Sequence, residues 1–233
     1  MTRDASIRER AADVLDRMAR AAARAGRSRG EVRLVAVSKT QGAEAVVEAH
    51  AAGLGAFGEN YVQEAEEKIR AVPDAEWHLI GKLQRNKAGK AVSLFPWIQT
   101  VDSAALLAEI SRRAAAAGKT VSVLVEVNLA GEGSKGGVSP EGLPALLDAA
   151  SGLPGIRLRG LMAIPPYSED PEASRPHFAR LRGLLAESAR RAPRGTEMTE
   201  LSMGMSHDFE AAIEEGATMV RVGTAIFGQR RAR

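Results

Sequence analysis

The run VRLVAVSKT at residues 32–40 carries Val32, Leu34, Val35, Ala36 and Val37 into Ser38 and then Lys39. Alone, Lys39 reads equally well as a strand-exit residue facing solvent. An amine held among apolar strands instead has its charged form disfavoured, which makes it a Schiff-base nucleophile toward a carbonyl. Far along the chain, GMSHDFEAAI sets Gly204, Ser206 and Asp208 at the start of a helical pattern. Backbone N–H groups lack partners there and the dipole favours an anion. Ser and Asp are also preferred capping residues, so Asp208 reads either as a cap or as a ligand. RVGTAIFG then supplies a cation (Arg221), an approachable backbone (Gly223) and a hydroxyl (Thr224). These types describe a clamp for a phosphate group and an amine able to attack a carbonyl.

The elements that must position them follow from hydrophobic period. Ile7, Ala11, Val14, Leu15, Met18 and Ala22 recur at helical spacing and predict a leading helix to about Gly26; residues 1–30 form this helix and an entry loop. The opening strand spans 32–38. AEAVVEAHAAG is a helix stopped by Gly53, GAFGEN a second strand and YVQEAEEKIRAV a second helix. The alternation continues through EWHLIG, NKAGKAVSLF, WIQTVD, SAALLAEISRRAAAAG, TVSVLVEVN, PEGLPALLDAAS, IRLRGLMAI, ASRPHFARLRGLLAESARRA, TELSMGM and DFEAAIEEG. TMVRVGTAIFG reads as the last strand. Eight strands, nearly all followed by helices, imply parallel pairing with right-handed crossovers. In 233 residues that is the size of one closed (β/α)8 TIM barrel, an α/β fold filling the chain as a single domain with an extra N-terminal helix. An open doubly wound sheet is the alternative, but VSKTQG after the first strand lacks the glycine-rich dinucleotide turn.

Barrels of this type work at the C-terminal ends of their strands, and their phosphate sites commonly form after strands seven and eight. The strand ends here are Ser38-Lys39, Glu59-Asn60, Ile80-Gly81, Glu126-Val127-Asn128, Met162-Ala163, the segment Ser202 to Ser206, and Arg221 to Thr224. Closing strand eight against strand one sets the clamp beside the amine. A phosphate site next to an amine implies a phosphorylated carbonyl substrate, as in aldolases, or pyridoxal 5′-phosphate, held by its phosphate and aldehyde together.

Composition removes other classes. The chain has no cysteine, which excludes disulfides, thiolate nucleophiles and cysteine-ligated metal. The charged N-terminal stretch lacks the apolar core of a signal peptide, and no apolar run reaches membrane-spanning length, so a cytoplasmic location and no membrane partner are expected. Formal net charge is only +3, basic residues alternate with acidic ones and aromatics are 4%, which argues against a nucleic-acid partner. The tail QRRAR reads as a solvated end. His50, His78, His177 and His207 form no helical pair with ligand spacing, so no metal site is expected.

As a set, VAVSKT, FGENYVQE, WHLIGKLQRNK, VNLAGEGSKGG, LRGLMAIP and LSMGMSHDFEAAIEEGATMVRVGTAIFG resemble the pyridoxal 5′-phosphate homeostasis protein family in order from about residue 30 to 229. The resemblance implies a barrel like the alanine racemase N-terminal domain, with Lys39 as the lysine that holds the cofactor as an aldimine. It also implies that Ser206, Arg221, Gly223 and Thr224, with Gly204, belong to the phosphate-binding segment. Ser202 falls where the family has a hydroxyl near the pyridine nitrogen, and Asn60 and Met162 match ring neighbours. The chain departs from the family pattern at Gln41-Gly42, where a proline is common, at Lys82 and Arg85, and at His207; these touch only the cofactor's exposed rim.

A racemase needs two acid–base groups on opposite faces of the substrate α-carbon. Lys39 could be one; related racemases take the other from a tyrosine on an extra β domain, which this sequence lacks. Tyr61 opens a helix and Tyr167 lies in a proline-flanked loop, so both read as surface packing. A serine or arginine facing the pyridine nitrogen leaves it unprotonated and weakens the electron sink. The expected role is therefore a carrier or buffer in intracellular vitamin B6 homeostasis that passes pyridoxal phosphate to apo forms of its enzymes. A weak amino-acid racemase and a Schiff-base aldolase are the alternatives. Lys135 reads as a solvated loop lysine or as a transient capture site for the cofactor, with Asn128 and Glu132 ordering its loop. A monomer is expected.

Overall fold

Eight short parallel strands pair in chain order, and the eighth pairs with the first. The structure is a computed structural model and describes residues 5–131, 136–191 and 197–229. The strands are β1 (Arg33–Val37), β2 (Ala56–Glu59), β3 (Glu76–Leu79), β4 (Trp97–Val101), β5 (Val121–Glu126), β6 (Ile156–Met162), β7 (Glu200–Met205) and β8 (Met219–Val222). Helix α1 (Ile7–Arg24) precedes them. Helices α2 (Ala43–Ala51), α3 (Val62–Ala71), α4 (Ala88–Leu94), α5 (Ala104–Ala116), α6 (Leu143–Ala150), α7 (Arg175–Arg191), α8 (Phe209–Glu214) and α9 (Thr224–Phe227) follow the strands in turn. The barrel expected from the alternation is the one observed.

Strand side chains alternate between two surroundings. On β8, Val220 and Val222 face the helices and join the large outer core, whereas Met219 faces the barrel axis with Trp97, Leu124 and Met162. Arg221 shares the inward face with Met219. Barrel interiors are usually layers of branched aliphatic residues. This one also buries His78, Gln99, Ser202 and Arg221, so each must find a polar partner inside.

The last strand departs from the expected span. β8 stops at Val222, and residues Thr224–Phe227 form a helical turn, with the N–H groups of Ile226 and Phe227 both donating to Gly223 O at 2.9 Å. The β-branched and aromatic residues of VRVGTAIFG favour strand, but Gly223 turns the chain off the sheet at φ −116°, ψ −77°. The segment read as one helix at NKAGKAVSLF starts as a 3-10 turn over Arg85–Lys87 before α4.

Helix α1 begins in a capping box between Ser6 and Glu9 and buries Ala11, Val14, Met18, Ala21 and Ala22. Its polar side, with Arg27 just past its end, ties down the last elements of the barrel. Arg10 Nε donates to Ile226 O at 2.6 Å, Arg17 pairs with Glu210 at 2.9 Å, and Arg27 Nη1 donates to Ala217 O at 2.9 Å. The leading helix thus holds α8 and α9 against the barrel.

Candidate functional site

Register sets the end of β1 beside the end of β8. Val35 lies opposite Arg221 and Ala36 opposite Val222 across β1 and β8. A Cβ added at Gly223 would sit 3.3 Å from Val37 O, so the two backbones run in close contact where the strands end. Leu34 and Ala36 face the helices, which turns Val35 and Val37 inward; Lys39 follows in the turn two residues past the end of β1 and is half-buried.

Opposite it, Ser206 Oγ accepts from Gly223 N–H at 3.0 Å and from Ala225 N–H at 3.3 Å. The hydroxyl and two backbone donors converge on one point at the start of α9, with Thr224 exposed beside them. Gly204 lets the preceding chain pass close under α8: its φ is +89° and a Cβ there would lie 2.5 Å from Ala212 Cβ. Asp208 occupies the N-cap position of α8. Its carboxylate turns back to accept from Met205 N–H at 2.7 Å, and its side chain makes no capping bond to α8.

Arg221, at an inward position of β8, makes none of these bonds. It is 4% exposed, and its guanidinium donates to Ser202 Oγ at 2.7 Å and to Ala163 O at 2.9 Å. Burial lowers its pKa to about 10, with Glu126 and Asp208 acting the other way. Ser202 passes the bond on, donating to Gln99 Oε1 at 2.6 Å. Gln99 Nε2 lies 2.9 Å from His78 Nδ1, and His78 Nε2 lies 2.9 Å from Glu76 Oε1. Every donor in this chain points the same way if His78 is neutral with its proton on Nε2, an assignment made from the network. Burial, the largest influence on His78, pushes its pKa down despite Glu76, which agrees with a neutral ring. Aligned bonds polarise one another in a low-dielectric interior. Because the Ser202 proton is committed to Gln99, the donor left to face the mouth is the guanidinium, which has five N–H groups.

Met162 is fully buried inside the barrel beside Trp97, and Asn60 lies at the end of β2 with its backbone against Gly81. Glu126, inward at the end of β5, is held above the ordinary carboxylate range by burial, with Arg221 opposing. Asn128 Oδ1 accepts from Gly131 N–H at 3.0 Å; Lys135 and Glu132 lie outside the described residues. Tyr61 and Tyr167 are 56% and 78% exposed, as their surface reading expects. Among the described residues no group of three or more His, Asp or Glu side chains could hold a metal ion, and no helix is long and apolar enough to cross a membrane. A cleft of about 1050 Å³ between α6 and α7, lined by Leu143, Leu147 and Arg191 among others, holds none of the mouth's groups.

Sequence reasoning named Ser38, Glu59 and Glu126 only as strand ends; it missed the polar chain through Gln99 and His78, the burial of the Glu126 carboxyl, and the cluster that Lys68 forms with Ser38 and Glu59. For Gln99 and Glu126 a signal existed, since each is a polar residue at an inward position of an apolar strand.

Comparison with known proteins agrees with this geometry. The family model for the alanine racemase N-terminal domain matches residues 13–231. The pyridoxal phosphate homeostasis protein of Pseudomonas aeruginosa is 47% identical over 227 residues, covering 97% of this chain and 96% of the relative. That of Aquifex aeolicus is 45% identical over 225 residues, covering 96% and 98%. The solved structure of PipY from Synechococcus elongatus with pyridoxal phosphate bound superposes with a TM-score of 0.85 at 42% identity, covering 96% of this chain and all of that one. The chain belongs to the pyridoxal phosphate homeostasis protein family, built on the barrel of the alanine racemase N-terminal domain.

Proposed function

We propose that this protein binds pyridoxal 5′-phosphate through Lys39 and serves as an intracellular carrier or buffer of the cofactor. The observation that carries the reading is the juxtaposition across the β8–β1 seam of the Lys39 turn, just past the end of β1, and the Ser206–Gly223–Ala225 hydrogen-bond cluster just past the end of β8. The donor set suits the group. Ser206 Oγ accepts the N–H groups of Gly223 and Ala225; rotation of that hydroxyl would free both donors for a phosphate oxygen, and Gly223 keeps the backbone open where a side chain would crowd Val37. Arg221 offers N–H donors beneath the ring nitrogen, held in place by Ser202 and Ala163 O. Met162 and Asn60 flank the ring, and Thr224 stands at the phosphate's exposed edge.

When bound, pyridoxal phosphate supplies an aldehyde that a lysine amine captures reversibly with loss of water. Lys39 is the residue for that capture. A guanidinium that donates to the ring nitrogen keeps a proton off it, which suits holding the cofactor better than catalysing carbanion chemistry. The full reading is a monomeric, cytoplasmic, single-domain protein that passes the cofactor to apo forms of pyridoxal-phosphate enzymes.

The test is a visible absorption spectrum after incubation with pyridoxal phosphate, followed by borohydride fixation and peptide mapping. A fixed adduct at Lys39, absent from Lys39→Ala, is expected. A colourless wild type, or an adduct that persists at the same site in Lys39→Ala, refutes the reading. Rapid washing of deuterium into the α-carbon of amino acids in heavy water would establish a racemase instead.

A further inference from the structure

Resting on that reading, the cluster behind Lys39 has a role of its own. Residues Ser38 to Gln41 form a tight turn in which Gln41 N–H donates to Ser38 O at 3.0 Å. Lys39 takes its first central position and Thr40 its second, with φ +66°. A positive φ at that position is where a type II turn takes glycine, and a β-branched residue held there is an outlier. Among the described residues no other non-glycine residue has a positive φ. Something must hold this turn in place.

Helix α3 does so with two side chains one turn apart. Lys68 Nζ donates to Ser38 O at 2.8 Å and to Glu59 Oε1 at 2.7 Å. Ser38 Oγ donates to the same Glu59 oxygen at 2.6 Å. Four residues before Lys68, on the same helix face, Glu64 Oε2 accepts from Thr40 N–H at 3.4 Å. Ser38 and Glu59 are fully buried and Lys68 is 4% exposed. A buried ion pair is a poor source of stability, because desolvation offsets the attraction. Glu59 illustrates this: burial outweighs its bonds to Lys68 and Ser38 and pushes its pKa up. Its second oxygen has no hydrogen-bond partner among the described residues. A cluster this unfavourable to bury, placed directly behind the peptide that presents Lys39, points to a local task.

We propose that Lys68, seated by Glu59 and assisted by Glu64, is a positioning clamp that holds the Ser38–Gln41 turn in its strained form and so aims the Lys39 amine into the barrel mouth. Lys68 touches neither the ligand nor the amine in this role. It acts through the Ser38 carbonyl.

The experiment uses the full chain with Lys68→Met, pyridoxal phosphate itself as probe, and three readouts: capture rate by rapid mixing, the pH midpoint of the visible band, and amide hydrogen exchange at Gln41 before loading. Capture roughly tenfold slower is expected, equivalent to about 1.4 kcal/mol in barrier, with a shifted band midpoint, faster exchange at Gln41 and an unchanged saturating stoichiometry. Lys68→Arg should restore most of the rate. Should Lys68→Met fold poorly, the Glu59→Leu/Lys68→Met pair replaces the ions with apolar side chains, a change buried pairs often tolerate, and should show the same slow capture. Thr40→Gly relieves the turn, so Lys68→Met should lose most of its effect in that background. Wild-type capture rate and band midpoint in Lys68→Met and in the paired variant overturn the clamp; a full tenfold effect persisting with Thr40→Gly overturns its link to the strained turn. A wild type that forms no adduct, or Lys39→Ala that retains one, instead refutes the binding reading beneath it.

Discussion

Replacing Arg221 by methionine separates binding from stability. The guanidinium makes two hydrogen bonds inside the barrel, to Ser202 Oγ and Ala163 O. Bonds to a charged group contribute about 1.5–3 kcal/mol each, so roughly 3–6 kcal/mol is removed. Against this stands the cost of burying the charge. Burial lowers its pKa to about 10, which at about 1.4 kcal/mol per pH unit is a penalty of roughly 3 kcal/mol. The two nearly cancel, and methionine keeps much of the volume. The expected net loss is about 1 kcal/mol, or roughly 3 °C in Tm for a chain this long. On the proposed reading, pyridoxal phosphate would lose a charged donor at its ring nitrogen with nothing to replace it. Its affinity should fall by about 1.5–3 kcal/mol, roughly ten- to 150-fold. Equilibrium titration by visible absorbance, with thermal unfolding of the same unloaded samples, measures both. Affinity within a factor of about two of wild type would show that Arg221 serves only the internal network. A Tm loss beyond about 10 °C would refute the cancellation.

Two other perturbations follow from the same geometry. His78 is kept neutral by burial and its pKa lies below the ordinary histidine value. As pH falls below about 6.5 the unfolded chain gains a proton that the folded one refuses, so stability present above that pH is lost by up to about 1.4 kcal/mol per pH unit. Glu59 and Glu126, whose pKa values are raised, act with the opposite sign at lower pH. Urea midpoints between pH 7 and 5 should therefore fall more steeply in wild type than in His78→Gln, and equal slopes would contradict a neutral buried ring. Gly81→Ala would place a Cβ 2.3 Å from Asn60 O and 2.6 Å from Asn60 Cα. Backbone must move, at a cost of about 1–3 kcal/mol, and thermal unfolding should show that loss together with weaker cofactor binding as Asn60 shifts.

The barrel and the seam of the site were readable because they depend on local patterns. Apolar runs marked the strands, and Lys39, Ser206 and Gly223 stood out as polar or small residues at strand ends. What stayed hidden depends on partners far apart in the chain. Ser202 and Gln99, bonded at 2.6 Å, are 103 positions apart, and each looks like an isolated polar residue in its own strand. Lys68 sits in YVQEAEEKIR, where a charged helix face is the natural reading, yet it is buried against the end of β1. The helical turn at Thr224–Phe227 was disguised by residues of high strand propensity, which Gly223 overrides. Asp208 takes the N-cap position that its residue type suggested, but its carboxylate accepts from Met205 N–H instead of from the helix.

The seam between β8 and β1 has a consequence for synthesis. The amine is delivered by residue 39, and the groups facing it come from residues 206–225, joined only when the last strand closes against the first. On the proposed reading, a nascent chain that has not yet delivered Met219–Val222 would have the lysine but no seat for the phosphate. Loading would then report completed folding, and a half-made copy would compete poorly for the cofactor.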